Sequence, residues 1–226
     1  MSAMINILYN IVQRFILICK PEQSGKTFVM INEIKNQLLD DEANNTHTVN
    51  IIFCDNNLLL TQQTSKRVRD DLEGYTNNGE RYIEFSSNSK TDTKTKDSVY
   101  KKIVNDGTKN VLCCTNETRV SEIASLITDL STARFTKGLF KFKIWLDEAD
   151  KFTGFINKSF KALLENFQNV QLYCLTATPK KLFDTYDQLN VFPLENTTRP
   201  DYHGWNDNKL IIEDNYTTIE NYVLYI

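Results

Sequence analysis

Glycine and proline are scarce in this chain, with seven and four among 226 residues. That scarcity excludes collagen-like and linker-rich chains and fits poorly with turn-dense β architectures. All four prolines (Pro21, Pro179, Pro193 and Pro200) lie toward the two ends, so none interrupts the chain from Glu22 to Thr178. Such a stretch suits regular alternation of helices and strands. No apolar run approaches the roughly 20 residues that cross a bilayer. The segment from Ile5 to Ile18 is broken by Asn6, Asn10, Gln13 and Arg14. It also lacks the basic start and small-residue cleavage site of a signal peptide, so it reads as part of the fold. No surplus of positive charge exists either. The formal net charge is −3, so any nucleic-acid contact must come from local patches.

Metal-ligating residues are equally thin. The five cysteines (Cys19, Cys54, Cys113, Cys114 and Cys174) show no paired ligand spacing, and each ends an apolar run. They read as reduced core residues of an intracellular protein. The two histidines, His47 and His203, stand alone in polar stretches, which argues against a zinc site.

What remains is ordinary globular composition, 41% apolar and 24% charged, enough for one large domain. Five runs read as strands buried on both faces: Phe15 to Cys19, Asn50 to Cys54, Asn110 to Cys114, Phe142 to Leu146 and Val170 to Leu175. A sixth, short strand is expected at Arg81 to Phe85. Between them lie helical patterns. The first follows Gly25, with Phe28, Val29, Ile31, Ile34 and Leu38 on one face. Others run from Leu58 to Leu72, capped by Asn57 and stopped at Gly74; from Val99 to Val104, ending at Asp106-Gly107; from Glu117 to Leu130; and from Asn157 to Phe167. Alternating strands and helices predict a three-layer α/β domain with a mainly parallel sheet, whose ligands collect at the strands' carboxyl ends. The polar stretch Asn77 to Lys96 reads as a solvated loop. Residues 180–226 read as an extension or linker, with a strand-like piece at Lys209 to Ile212.

Three strands end in polar clusters. After FILIC comes KPEQSGKT, covering Lys20, Pro21, Glu22, Gln23, Ser24, Gly25, Lys26 and Thr27. A Gly-Lys-Thr between strand and helix fits phosphate binding. Backbone N–H groups face the anion, Lys26 reaches the β- and γ-phosphates, and the Thr27 hydroxyl can ligate Mg²⁺. The second cluster, IWLDEAD, places Asp147 to hold Mg²⁺ and Glu148 to polarise an attacking water. The third strand, VQLYCL, ends in Thr176-Ala177-Thr178-Pro179. Singly, each has a plain alternative: a strand-to-helix turn, an acidic helix start, a polar strand exit. In this order they make a nucleotide site.

KPEQSGKT, DEAD and TAT resemble motifs I, II and III of superfamily 2 helicases of the DEAD/DEAH type, over Phe15 to Pro179. The resemblance implies a RecA-like lobe at 1–179 that hydrolyses ATP with Mg²⁺, with Lys26, Asp147 and Glu148 as its catalytic residues. It also implies that Asp150 pairs with Thr176 or Thr178 to couple hydrolysis to strand movement. DNNLLLTQQTSKRVR occupies the position of motif Ia, offering Asn56, Asn57, Gln62, Lys66 and Arg67 to a DNA or RNA backbone. TNETRV is similar to motif Ib, offering Thr115, Asn116 and Arg119. The bases Lys66, Arg67 and Arg69 fit a solvated helix face as well. Two departures stand out: no adenine-reading Gln motif lies upstream, and no second-lobe arginine motif follows Thr178. A second RecA-like lobe is therefore the expected partner. Two other functions stay open, a non-catalytic nucleotide-binding module and a DNA translocase without strand separation. The AT-rich codon usage implied by abundant Asn, Lys and Ile, with the motif style, is similar to helicases of large DNA viruses. The protein is expected in the cytoplasm or nucleus, or in a host cytoplasm or virion if it is viral.

Overall fold

A computed structural model describes residues 14–20, 25–54, 58–72, 82–86, 93–186 and 190–191. The strands are β1 Phe15–Cys19, β2 His47–Cys54, β3 Tyr82–Phe85, β4 Asn110–Cys114, β5 Phe140–Leu146, β6 Val170–Thr176 and β7 Asn190–Val191. The helices are α1 Lys26–Asn44, α2 Leu58–Leu72, α3 Lys96–Asp106, α4 Glu117–Thr132, α5 Lys161–Asn166 and α6 Lys180–Thr185.

The strands form one sheet in the order β3-β4-β2-β5-β6-β1-β7, and every pairing is parallel. From β1 the chain moves across the sheet in one direction to β3, then returns through β4, β5 and β6 to β7. Right-handed crossovers put the outward helices on one face and the returning ones on the other. Accordingly, Val29, Ile34 and Leu38 of α1 and Val68 and Leu72 of α2 pack with Ile16, Ile18, Ile52 and Trp145. On the opposite face, Val99, Ile103, Val120, Ile123, Leu130 and Leu163 pack with Leu17, Ile51, Val111, Ile144 and Leu172. Successive strand residues alternate between the two cores, as strands covered on both faces must. Among the described residues no helix is long and apolar enough to cross a membrane.

The three-layer α/β RecA-like expectation holds, and the sheet is parallel throughout its described strands. Several details differ. β5 starts at Phe140 because Lys141 and Lys143 alternate with buried Phe140 and Phe142, which hides its first half from a search for continuous apolar runs. The helix expected at Asn157 to Phe167 is interrupted: a short turn Thr153–Phe155 leads into a π-helical stretch Ile156–Phe160 before α5. Packing against the sheet also continues past Pro179. Leu182 of α6 is buried, the Tyr186 ring packs edge-on to Phe15 at 5.0 Å, and β7 pairs with β1. The expected cap Asn57, stop Gly74 and strand Lys209 to Ile212 lie outside the described residues.

At the amino-terminal edge of the sheet, Asp41 of α1 anchors a buried polar knot. It accepts hydrogen bonds from the Thr46 hydroxyl (2.7 Å), the Thr48 N–H (2.8 Å) and the Thr48 hydroxyl (2.9 Å). The Lys109 ammonium stands 3.3 Å away. Burial pushes the Asp41 carboxyl up, but these donors and the Lys109 charge outweigh it and hold it below its ordinary value.

Candidate functional site

β1 is the strand where the connections diverge. Its exit leads to α1 on one face, whereas β6 beside it and β5 beyond exit toward the other. Such a reversal marks the carboxyl edge as the usual ligand position in these sheets. The order β5-β6-β1 also sets the three polar clusters side by side. Cys19 pairs with Thr176 and Leu146 with Cys174, and the Lys20 N–H continues the ladder to the Thr176 carbonyl at 3.1 Å. Residues remote in sequence thus converge because their strands are neighbours.

Gly25 turns the chain into α1 at φ 92° and ψ 35°, a left-handed conformation that favours glycine. Among the described residues no side chain caps α1, and its first backbone hydrogen bond runs from the Val29 N–H to the Gly25 carbonyl at 3.0 Å. The N–H groups of Lys26, Thr27 and Phe28 therefore precede the helical ladder, at the positive end of a 19-residue dipole. Beside them the Lys26 ammonium lies 3.0 Å from Glu148 Oε1, with side chains 10% and 29% exposed. Burial raises the neighbouring Cys19 thiol above its ordinary value, with Lys26 pulling the other way. Cys19 stays protonated and serves as packing.

The loop after β5 is tightly drawn. The Asp147 N–H donates to the Phe53 carbonyl (3.1 Å), and Asp147 Oδ1 accepts from the Glu148 N–H (3.1 Å). Glu148 itself is left-handed at φ 51°, uncommon for a residue with a side chain. A 3₁₀ turn, Ala149–Lys151, then presents Asp150 to the end of β6. The Thr176 hydroxyl donates to Asp150 Oδ1 (2.6 Å) and the Thr178 hydroxyl to Oδ2 (2.9 Å). A further bond, from the Thr178 N–H to Thr176 Oγ1 (3.0 Å), fixes the turn. Both carboxylate oxygens of Asp150 are engaged.

Among the described residues no three His, Cys, Asp or Glu side chains converge as a metal cage. Mg²⁺ carried by a nucleotide requires none, since one or two carboxylates, waters and phosphate oxygens suffice. Thr27 and Asp147, both half-buried at this edge, have the right chemistry. Lys26 and the leading N–H groups likewise suit a polyphosphate.

The remaining expected residues divide. Pro21, Glu22, Gln23, Ser24, Asn56 and Asn57 lie outside the described residues. Gln62, Lys66 and Arg67 are exposed on α2. Thr115 is buried, its hydroxyl donating to the Cys54 carbonyl at 2.5 Å, and so it ties β4 to β2. The Asn116 side chain caps α4 by accepting the Arg119 N–H at 3.0 Å. The Arg119 guanidinium lies 4.1 Å over the Phe85 ring and 2.6 Å from Glu122. Each of those three side chains has a partner within the fold, and Asn116 and Arg119 stay half-buried. Phe28, grouped by spacing with the buried face of α1, is exposed instead.

A family model described as type III restriction enzyme, res subunit, matches residues 2–181. No curated protein matches the chain.

Proposed function

The chain belongs to the type III restriction enzyme res subunit family, whose domain is a superfamily 2 RecA-like ATPase lobe, and on that premise we propose that it hydrolyses ATP to drive movement along nucleic acid. The observation that carries this reading is the convergence of Lys26, Glu148 and the Asp150–Thr176–Thr178 cluster on adjacent strand ends.

The uncommitted N–H groups of α1 and the Lys26 ammonium bind the phosphates. Mg²⁺, when bound, neutralises charge on the phosphoryl oxygens, and Thr27 and Asp147 are the residues that would hold it. Phosphate competes with Glu148 for Lys26. Once released, the Glu148 carboxylate orients the attacking water and takes up its proton. Asp150 reports the state of that loop to β6 through Thr176 and Thr178. Gln62, Lys66 and Arg67 give a nucleic-acid backbone an exposed polar face on α2, sequence-tolerant and sensitive to salt.

Transition-state charge calls for a further cation. Arg14 is held by the carbonyls of Leu164, Phe167 and Val170, Arg69 by Glu84, and Arg119 by Glu122. With these three engaged, a second RecA-like lobe is the proposed source of the arginine, an effect of about 10³–10⁵ in rate where such fingers operate.

The test is phosphate release by the full chain with Mg²⁺-ATP, alone and with single- or double-stranded DNA or RNA. Slow release, accelerated by nucleic acid and abolished in Glu148→Gln, is expected. Binding of ATP without release under any of these conditions would favour a non-catalytic module. The restriction-enzyme description of the family favours a duplex translocase that does not separate strands. ATP consumption on duplex without displacement of an annealed oligonucleotide would identify that activity.

A further inference from the structure

Among the described residues, the last matched pair of β2 and β4 consists of two cysteines, Cys54 and Cys114. Neighbouring strands stand about 4.7–4.9 Å apart, within the ~4.4–6.8 Å between Cα atoms that a disulfide spans. The two thiols also share a face. Cys54 packs with Leu112 in the core beneath α1 and α2, while Cys113 lies in the opposite core. Alternation along β4 therefore turns Cys114 back to the side of Cys54. The Thr115 N–H donates to the Cys54 carbonyl at 2.8 Å, and the Thr115 hydroxyl donates to the same oxygen. Those bonds hold the pair in register. Cys54 is buried and Cys114 half-buried, which leaves one sulfur of the two within reach of a small reagent.

We propose that Cys54 and Cys114 are a reversible oxidation site, closed as a β2–β4 disulfide by hydrogen peroxide. The Cys114 sulfur attacks the peroxide and becomes a sulfenic acid. The O–O bond breaks, and the thiol proton leaves with the released hydroxide as water. The Cys54 sulfur then attacks the oxidised sulfur. An S–S bond forms, the S–O bond breaks, and a second water carries off the Cys54 proton. Two thiols are oxidised and one peroxide is reduced. Closure draws the two strands in slightly from their usual spacing, and a dithiol reverses it by exchange. The site stands independently of the nucleotide reading.

The test treats the folded full chain with hydrogen peroxide, counts thiols in denaturant and maps the peptides by mass. Two of the five thiols should disappear and return with dithiothreitol. The peptide carrying Cys54 should be recovered joined to the one carrying Cys113 and Cys114, with fragmentation placing the bond at Cys114. Cys54→Ala should stop at the sulfenic acid, trapped on Cys114 by dimedone. Three outcomes overturn the site: no linked peptide, a bond to Cys113, or a bond made between chains rather than within one. Should Cys54→Ala fail to fold, the wild-type map decides alone.

Discussion

The Lys26 ammonium and the Glu148 carboxylate lie 3.0 Å apart, joining the helix that follows β1 to the loop that follows β5. In the proposed mechanism each group would neutralise the charge that the other brings to the reaction until phosphate separates the pair.

Glu148→Gln should leave ATP binding intact or slightly tighter, because Lys26 loses its internal competitor. Phosphate release should fall by about 10²–10⁴, the usual worth of a positioned general base. Lys26→Ala should lose ATP affinity instead. Calorimetry with stopped-flow phosphate detection distinguishes the two, and full turnover in Glu148→Gln would remove that carboxylate from the mechanism.

Thr176→Val deletes the part-buried 2.6 Å hydrogen bond to Asp150, and the one accepted from the Thr178 N–H, while keeping the volume of the side chain. We expect a stability loss of about 1–2 kcal/mol, read from urea unfolding. The basal rate should persist while acceleration by nucleic acid is lost. Equal loss of both rates would make the cluster a support for Glu148 rather than a coupling element.

Asp41→Asn tests the knot at the opposite edge of the sheet. It leaves the Lys109 ammonium, 10% exposed, without its anion. The expected cost is about 3–5 kcal/mol. The folded Asp41 carboxyl lies below its unfolded value of 3.8, so its contribution is present above that pH and fades as pH falls through the folded value. Wild type should therefore lose stability below pH ~4 more steeply than Asp41→Asn. Parallel acid limbs in thermal melts at several pH values would rule this out.

Lys66→Ala and Arg67→Ala, both exposed, should leave folding unchanged. If each side chain neutralises one phosphate, each variant should flatten the logarithmic salt dependence of single-strand binding by about 0.7. Anisotropy of a labelled oligonucleotide across a salt series measures this. Unchanged slopes would return the pair to an ordinary solvated face.

Much of the fold was legible because central parallel strands are covered on both faces and read as continuous apolar runs. β1 and β4 match their runs residue for residue. Legibility failed where burial is one-sided: at Lys141 in β5, and in α6, whose single buried residue, Leu182, makes no visible period. In the site, the Gly-Lys-Thr turn and DEAD run are local patterns and stood out. The burial of Thr115 was not legible, because a hydrogen bond to a carbonyl 61 residues away decides its orientation. The Asp41–Lys109 pair spans 68 residues and leaves no local mark. The exposure of Phe28 could have been found by angular position alone, since its neighbours on the helix wheel, Asn32 and Lys35, are polar.

β1 has only β6 and β7 as lateral partners, so the first described strand to leave the ribosome waits for the last ones. Its backbone cannot complete a ladder until residues 170–176 have been made, and the phosphate-binding turn hangs from its end. Nascent chains halted before Val170 can assemble β2, β3, β4 and β5 but have no place to dock β1. On the proposed reading, ATP binding thus waits until β6 has been made, and a product cut short before Val170 cannot sequester nucleotide.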